Sequence, residues 1–158
     1  MKLLTKITAL TLLLGSFSLS AISQSACHGY GKSSCKPDLE DYVQNPQVLN
    51  AELSSGESAE IAMVFSAKHD YRIQICAEEH MGEIGFKIKS SKGEILLDNQ
   101  DYEMINSWDF TMSKTKRLII EVTFLGADSE DGFEETGCTA IIVGYKHNEI
   151  RKEVTKFK

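Results

Sequence analysis

Several things this sequence lacks narrow what it can be. Beyond the N-terminal region no apolar run exceeds strand length, the longest being of the size of Ala140 to Val143, so nothing there reads as a transmembrane helix. Basic residues are scarce relative to acidic ones, 17 against 23, and the net charge of −6 argues against binding nucleic acid through a general cationic surface. There is no H-E-x-x-H, no C-x-x-C and no G-x-S-x-G, so the compact signatures of zinc proteases, dithiol redox enzymes and α/β-hydrolases are missing. No long helical pattern separates the strand-like segments, which argues against a parallel α/β sheet. Internal repeats and low-complexity linkers are absent as well.

What is present begins with an address. MKLLTKITALTLLLGSFSLSAIS carries Lys2 and Lys6, then an apolar run from Ile7 to Leu14, then small residues, which is the order of a secretory signal. Small side chains allow cleavage after Ser20 or after Ser23, and residues 1–23 are set aside as signal. Losing Lys2 and Lys6 takes the net charge from −6 to −8. Roughly 130 residues then remain, one domain able to bury about two thirds of its unfolded surface. A rival reading is a lipoprotein signal ending at Cys27, after Gln24, Ser25 and Ala26; membrane attachment follows only if Cys27 is lipidated, and Gln24 stands where an aliphatic residue is usual. The expected location is periplasmic or secreted.

Four cysteines follow the signal, an even number in an exported chain, so disulfides are expected. Three pairings can be written. The preferred one joins Cys27 to Cys35 across a small glycine-containing loop and Cys76 to Cys138 across much of the domain. Chain entropy values these at about 2.5 and about 4 kcal/mol.

Residues 24–46 differ from the rest: a disulfide loop, then Pro37 at a first helical position with Asp38, Glu40 and Asp41 behind it, which predicts a short helix from Pro37 to Gln44. Gly31-Lys32-Ser33 invites a phosphate-loop reading, but that motif needs a glycine where Ala26 stands. From residue 47 to 146 the pattern alternates with period two. Strands are expected at Val48 to Leu53, Glu57 to Phe65, Asp70 to Glu78, Glu83 to Lys89, Glu94 to Asp98, Ser107 to Met112, Arg117 to Leu125 and Cys138 to Lys146. In the third of these Tyr71, Ile73, Ile75 and Ala77 face one way, while Cys76 stands on the polar face as if tied to something. The last is apolar on both faces, which suggests a central or doubly covered position. About eight strands with turn signals every eight to twelve residues argue for an all-β, antiparallel, jelly-roll-like sandwich. Residues 147–158 are read as a tail.

A glycine-led turn and apolar strand (Gly56 to Phe65), a Tyr-x-Ile-x-Ile strand (Tyr71 to Ile75), a hairpin ending in Leu-Leu-Asp-Asn (Phe86 to Asn99), an aromatic strand (Trp108 to Phe110) and an Ile-x-Val strand (Ile120 to Val122) together resemble the bacterial pre-peptidase C-terminal domain over roughly residues 53–146. The resemblance implies a jelly-roll-like sandwich, usually appended to secreted hydrolases and associated with export, substrate attachment or calcium binding. This chain departs from the pattern in its N-terminal segment and its strand cysteines.

Three groups can carry chemistry. The acidic stretch with Asp128, Glu130 and Asp131, together with Asp98 and Asp101 in a second oxygen-rich loop, offers the hard ligands calcium prefers, although not in EF-hand order. Glu78, Glu79 and His80 are adjacent at a strand exit, where they can bind zinc or a partner or serve acid/base chemistry; His28, His69, His80 and His147 show no ligand spacing among themselves. Among the aromatics Trp108 is in phase with the core, whereas Tyr30 and Tyr102 are candidates for exposed contact.

These features predict an exported, non-catalytic β-sandwich module recognising protein or glycan at the bacterial cell envelope, with no catalytic residues assigned. The alternative is a small secreted hydrolase with a carboxylate or metal site at the loop ends. Intact mass of the exported chain under non-reducing conditions is expected to lie four hydrogens below the fully reduced mass for its four cysteines, with no added lipid. A lipid adduct would establish the lipoprotein reading instead.

Overall fold

The computed structural model describes residues 26–126 and 135–147. The signal segment, the acidic residues Asp128, Glu130 and Asp131, and the tail after His147 lie outside the described residues. Among the described residues there are one short helix, α1 (Tyr30–Ser33), and nine strands: β1 (Val43–Gln44), β2 (Leu49–Ser54), β3 (Ser58–Phe65), β4 (His69–Ala77), β5 (Ile84–Ser90), β6 (Ile95–Asp98), β7 (Ser107–Met112), β8 (Lys116–Phe124) and β9 (Thr136–His147). Two single 3₁₀ turns, Glu79–Met81 and Asn99–Tyr102, lie between β4 and β5 and after β6.

All pairings are antiparallel, and they nest: β2 with β9, β3 with β8, β4 with β7 and β5 with β6. Rolling this long hairpin brings β9 against β4 and β8 against β5, so alternate pairs fall into opposite sheets. The result is a jelly-roll-like winding with sheet orders β2-β9-β4-β7 and β3-β8-β5-β6, β1 adding to the same edge of β9 as β2. The period-two pattern explains which faces meet. Tyr71, Ile73 and Ile75 of β4 and Ile141 and Val143 of β9 point inward against Leu118, Ile120, Val122 and Phe124 of β8 and Phe86 and Ile88 of β5. Ile73, Ile120 and Val122 are 0% exposed. Burying each such side chain is worth about 1.5–3 kcal/mol.

Asn99 is buried inside this apolar setting because every polar atom of its side chain is used. Its Oδ1 accepts from the Phe86 N–H at 2.8 Å, and its Nδ2 donates to the Ile84 and Ile105 carbonyls at 2.9 and 3.0 Å. It thereby closes the turn after β6 onto β5, where an unpaired amide would carry a large desolvation cost.

The N-terminal segment corrects two expectations. The disulfides are Cys27–Cys138 and Cys35–Cys76, not Cys27–Cys35 and Cys76–Cys138. The register supplies the reason: Cys76 is opposite Ala140, so Cys138 is its diagonal neighbour on the same outer face. Diagonal pairs stand about 7–8 Å apart, beyond the usual Cα separation of a disulfide. Each instead reaches a cysteine flanking α1, with Cα–Cα distances of 5.2 and 6.0 Å. With sequence separations of 111 and 41, chain entropy values the two bonds at about 4.8 and about 3.9 kcal/mol taken singly. The smaller loop lies within the larger, so the pair contributes less than the sum.

The second correction concerns the helix expected from Pro37 to Gln44. The helix is instead at Tyr30–Ser33, and the later stretch is a turn closed by Tyr42 N–H to the Leu39 carbonyl (2.8 Å) leading into β1. Tertiary partners override the local helix signals. Arg72 on the outer face of β4 donates from Nη1 to the Asp38 carbonyl at 3.0 Å and pairs with Glu40 at 3.3 Å, while Lys146 pairs with Asp41 at 3.0 Å. Two of the acids read as helix-dipole partners, Glu40 and Asp41, are thus ion-pair partners of the sheet, and Asp38 accepts through its carbonyl.

The clasp lies close because the sheet and helix are small where they touch. A Cβ on Gly31 would sit 2.7 Å from Val48 and 2.9 Å from Ala140, and one on Gly144 would sit 2.8 Å from Tyr42. Gly31, once a phosphate-loop candidate, is therefore a packing glycine whose N–H donates to Asn50 Oδ1 at 2.6 Å. Beneath the clasp Cys35, Leu39, Ala140 and Ile142 form a second apolar cluster, which confirms that β9 is covered on both faces.

Arg72 fixes the far end of the clasp. Its Nε and Nη2 donate to the two carboxylate oxygens of Asp109 on β7 at 2.7 and 2.8 Å, and its guanidinium lies 5.0 Å from the Tyr42 ring centroid. These hydrogen bonds hold the Asp109 carboxyl below its ordinary range, and the bond from Lys146 does the same for Asp41. A depressed folded-state pKa supplies stability above the unfolded value, lost as pH falls through the folded value. We therefore expect D109N to have a lower melting temperature at neutral pH than the parent, and a smaller loss of melting temperature between about pH 5 and about pH 2. Parallel acid denaturation curves for the two would contradict this.

Candidate recognition cleft

β4 ends at Ala77, and the chain leaves it through Glu78 into the 3₁₀ turn Glu79–Met81. Met81 is buried against the core, which anchors the turn from below and leaves Glu79 and His80 exposed above it. On one side of this ridge is an open cleft of about 680 Å³ lined by Tyr30, Ser34, Ala77, Glu78, Glu79 and His80. On the other is a smaller one of about 360 Å³, where Glu78 and Glu79 recur with Glu83, Met104 and Asn106. The strand exit is therefore an acidic ridge between two hollows.

Four residues singled out from the sequence, Tyr30, Glu78, Glu79 and His80, meet at the larger cleft. The disulfides bring them together: Cys35–Cys76 and Cys27–Cys138 hold α1, and with it Tyr30 and Ser34, beside the end of β4. Partial burial, and after it the Glu78 charge, push the Tyr30 phenol above its ordinary value, so it remains a neutral hydrogen-bond donor at the cleft wall.

The inner polar atoms already have structural partners. Glu78 Oε2 accepts from the Cys138 N–H at 3.0 Å, and the Glu78 N–H donates to the Cys138 carbonyl at 3.0 Å, extending the β4–β9 ladder by a mixed main-chain and side-chain pair. His80 Nε2 donates to the Thr136 carbonyl at 3.0 Å, which directs Nδ1 toward Glu78 Oε2 at 4.0 Å. Glu78 and His80 thus brace the start of β9. Glu79 is exposed at the cleft, and the half-buried Tyr30 lines it.

The remaining candidates lie elsewhere. Tyr102 is 46% exposed and rests against Trp108 with ring centroids 5.0 Å apart. Trp108 itself is half-buried and packs on the core, as its phase implied. Asp98 accepts from the Gln100 N–H at 3.1 Å and pairs with Lys87 at 3.2 Å, so its carboxylate caps the following turn; Asp101 is exposed. No group of three or more metal-ligating side chains occurs among the described residues. Sequence reasoning missed Ser34 and Met81, whose roles depend on the disulfide pairing and on the turn.

The division between bracing and displayed groups is measurable. E78A should lower the unfolding free energy by about 1–3 kcal/mol in urea denaturation, since it strips a partner from the Cys138 N–H. E79A should stay within about 0.5 kcal/mol of the parent. Equal effects would mean that the two carboxylates are not divided in this way.

No protein-family model and no curated protein sequence matches this chain. Among solved structures it is similar to PliG of Aeromonas hydrophila, a periplasmic lysozyme inhibitor of g-type lysozyme, at 12% identity over 63% of this chain and 85% of that one, with a TM-score of 0.47.

Proposed function

We propose that this chain is an exported, non-catalytic module of the bacterial envelope that binds a protein partner at the Glu78–Glu79 ridge, taking a cationic side chain into the cleft beside Tyr30. Export is supported by the signal-like N-terminus and by the pairing of all four cysteines, which suits an oxidising compartment. The observation that carries the binding reading is the cleft itself. It is open and acid-rimmed, and it stands on a turn anchored by Met81 and on a helix held by two disulfides. A rigid site of this kind loses little entropy on binding.

The same geometry disfavours catalysis by this cluster. Glu78 and His80 use their inner atoms to hold β9, which leaves the exposed Glu79 without either of them free to work beside it in acid/base chemistry. An acidic rim on a chain of net charge −6 also attracts basic partners, and such attraction weakens with ionic strength.

A photo-reactive residue at Ser34, on the cleft rim, should capture one defined protein in the native envelope. E79K should cut that capture about tenfold, equivalent to about 1.4 kcal/mol, and the same probe at Val64 on β3 of the opposite sheet should capture nothing. Capture of glycan instead of protein, capture unaffected by E79K, or measured turnover of an envelope polymer would each overturn the proposal.

A further inference from the structure

At the opposite end of β4 from the cleft, about 26 Å away by eight strand steps of about 3.3 Å, two histidines distant in sequence stand side by side. His69 opens β4 and His147 closes β9, and the two are direct cross-strand partners. His69 Nε2 and His147 Nδ1 are 3.4 Å apart, with ring centroids at 4.8 Å and planes crossing at 70°. Two nitrogens bound at about 2.0–2.1 Å to one ion are themselves about 3.3–3.4 Å apart in tetrahedral and about 2.8–3.0 Å apart in square-planar coordination. The pair stands at the tetrahedral bite, and the exposed His147 ring needs to close by only about 0.5 Å for a square-planar ion.

The surroundings prepare one member as a ligand. His69 Nδ1 lies 2.9 Å from the Ala67 carbonyl, so in the neutral ring that nitrogen carries the proton and Nε2 keeps its lone pair. The carbonyl is itself held in place, because the Ala67 N–H donates to Thr115 Oγ1 at 3.0 Å and the Lys68 N–H to the Met112 carbonyl at 2.8 Å. A histidine whose second nitrogen is fixed by a carbonyl is the usual arrangement behind a metal-bound imidazole. Tyr71 and Tyr145 flank the His69 ring at 6.0 and 6.1 Å between centroids, while His147 is exposed, so the ring is packed on one side and the site opens to solvent.

We propose that His69 Nε2 and His147 Nδ1 together bind one late first-row divalent transition ion, water completing its coordination, with Cu²⁺ the tightest of the series. On binding, the hydrogen bond between the rings is replaced by two N–metal bonds. His147 moves its proton from Nδ1 to Nε2, so two neutral rings release no proton.

The test is a calorimetric titration of the full exported chain with Cu²⁺, read alongside electron paramagnetic resonance. One ion per chain is expected, with a spectrum showing two coordinated imidazole nitrogens. H69A and H147A should each weaken binding at least about tenfold, the lower end of what loss of even an outer-shell partner costs. H28A should leave it unchanged. Cu²⁺ should also raise the melting temperature of the parent but not of H147A, since an ion bound only by the folded state stabilises it. His147 is exposed at a strand end, so H147A folds and keeps the test decisive if H69A does not. No one-to-one binding by the parent, or one-to-one binding that survives in H147A, would overturn the proposal.

Discussion

The structure depends on covering the outer face of β9. That strand is the centre of its sheet, with β1 and β2 on one edge and β4 on the other, and its outward side chains include Ala140 and Ile142. In a sandwich whose second sheet covers only the inner face, this apolar strip would be left in water. The chain meets the requirement with its N-terminal segment, laid across the strip, bonded covalently at Cys138 and Cys76 and tied by Arg72 and Lys146 further along. Close approach requires small residues at the contact, and Gly31, Ala140 and Gly144 supply them.

The two ends of β4 follow from that arrangement. At its C-terminal end the clasp places Tyr30 beside Glu78, Glu79 and His80, so that an open cleft flanks the polar strand exit. At its N-terminal end the β4–β9 register places His69 against His147. The proposed recognition and metal sites therefore share the strand pair that the disulfides brace, yet they lie far enough apart to be altered independently.

Much of the fold was legible because strand alternation is local. The inward sets Tyr71, Ile73, Ile75 and Leu118, Ile120, Val122 could be written from period two alone, and the loss of that alternation in Cys138 to Lys146 pointed to a central or doubly covered strand. The misplaced look of Cys76 was also informative, since an apolar thiol on a wet face pointed to a covalent partner. What misled was treating short-range signals as sufficient. Pro37 with three nearby acids is a good helix start in isolation, but Arg72 and Lys146 offer Glu40 and Asp41 charge-assisted bonds that a local helix dipole does not match.

The sequence by itself determined the all-β class, the strands and their buried faces, the acidic surface and an oxidised set of cysteines. Each of these is set by residue type and nearest-neighbour spacing. Only the tertiary structure decided which cysteines pair, that Asn99 is a buried crosslink, that Tyr30 joins the Glu78 cleft and that His69 meets His147. Those outcomes depend on the register between segments tens of residues apart. A register is specified by the packing of whole faces, not by any short run of the chain.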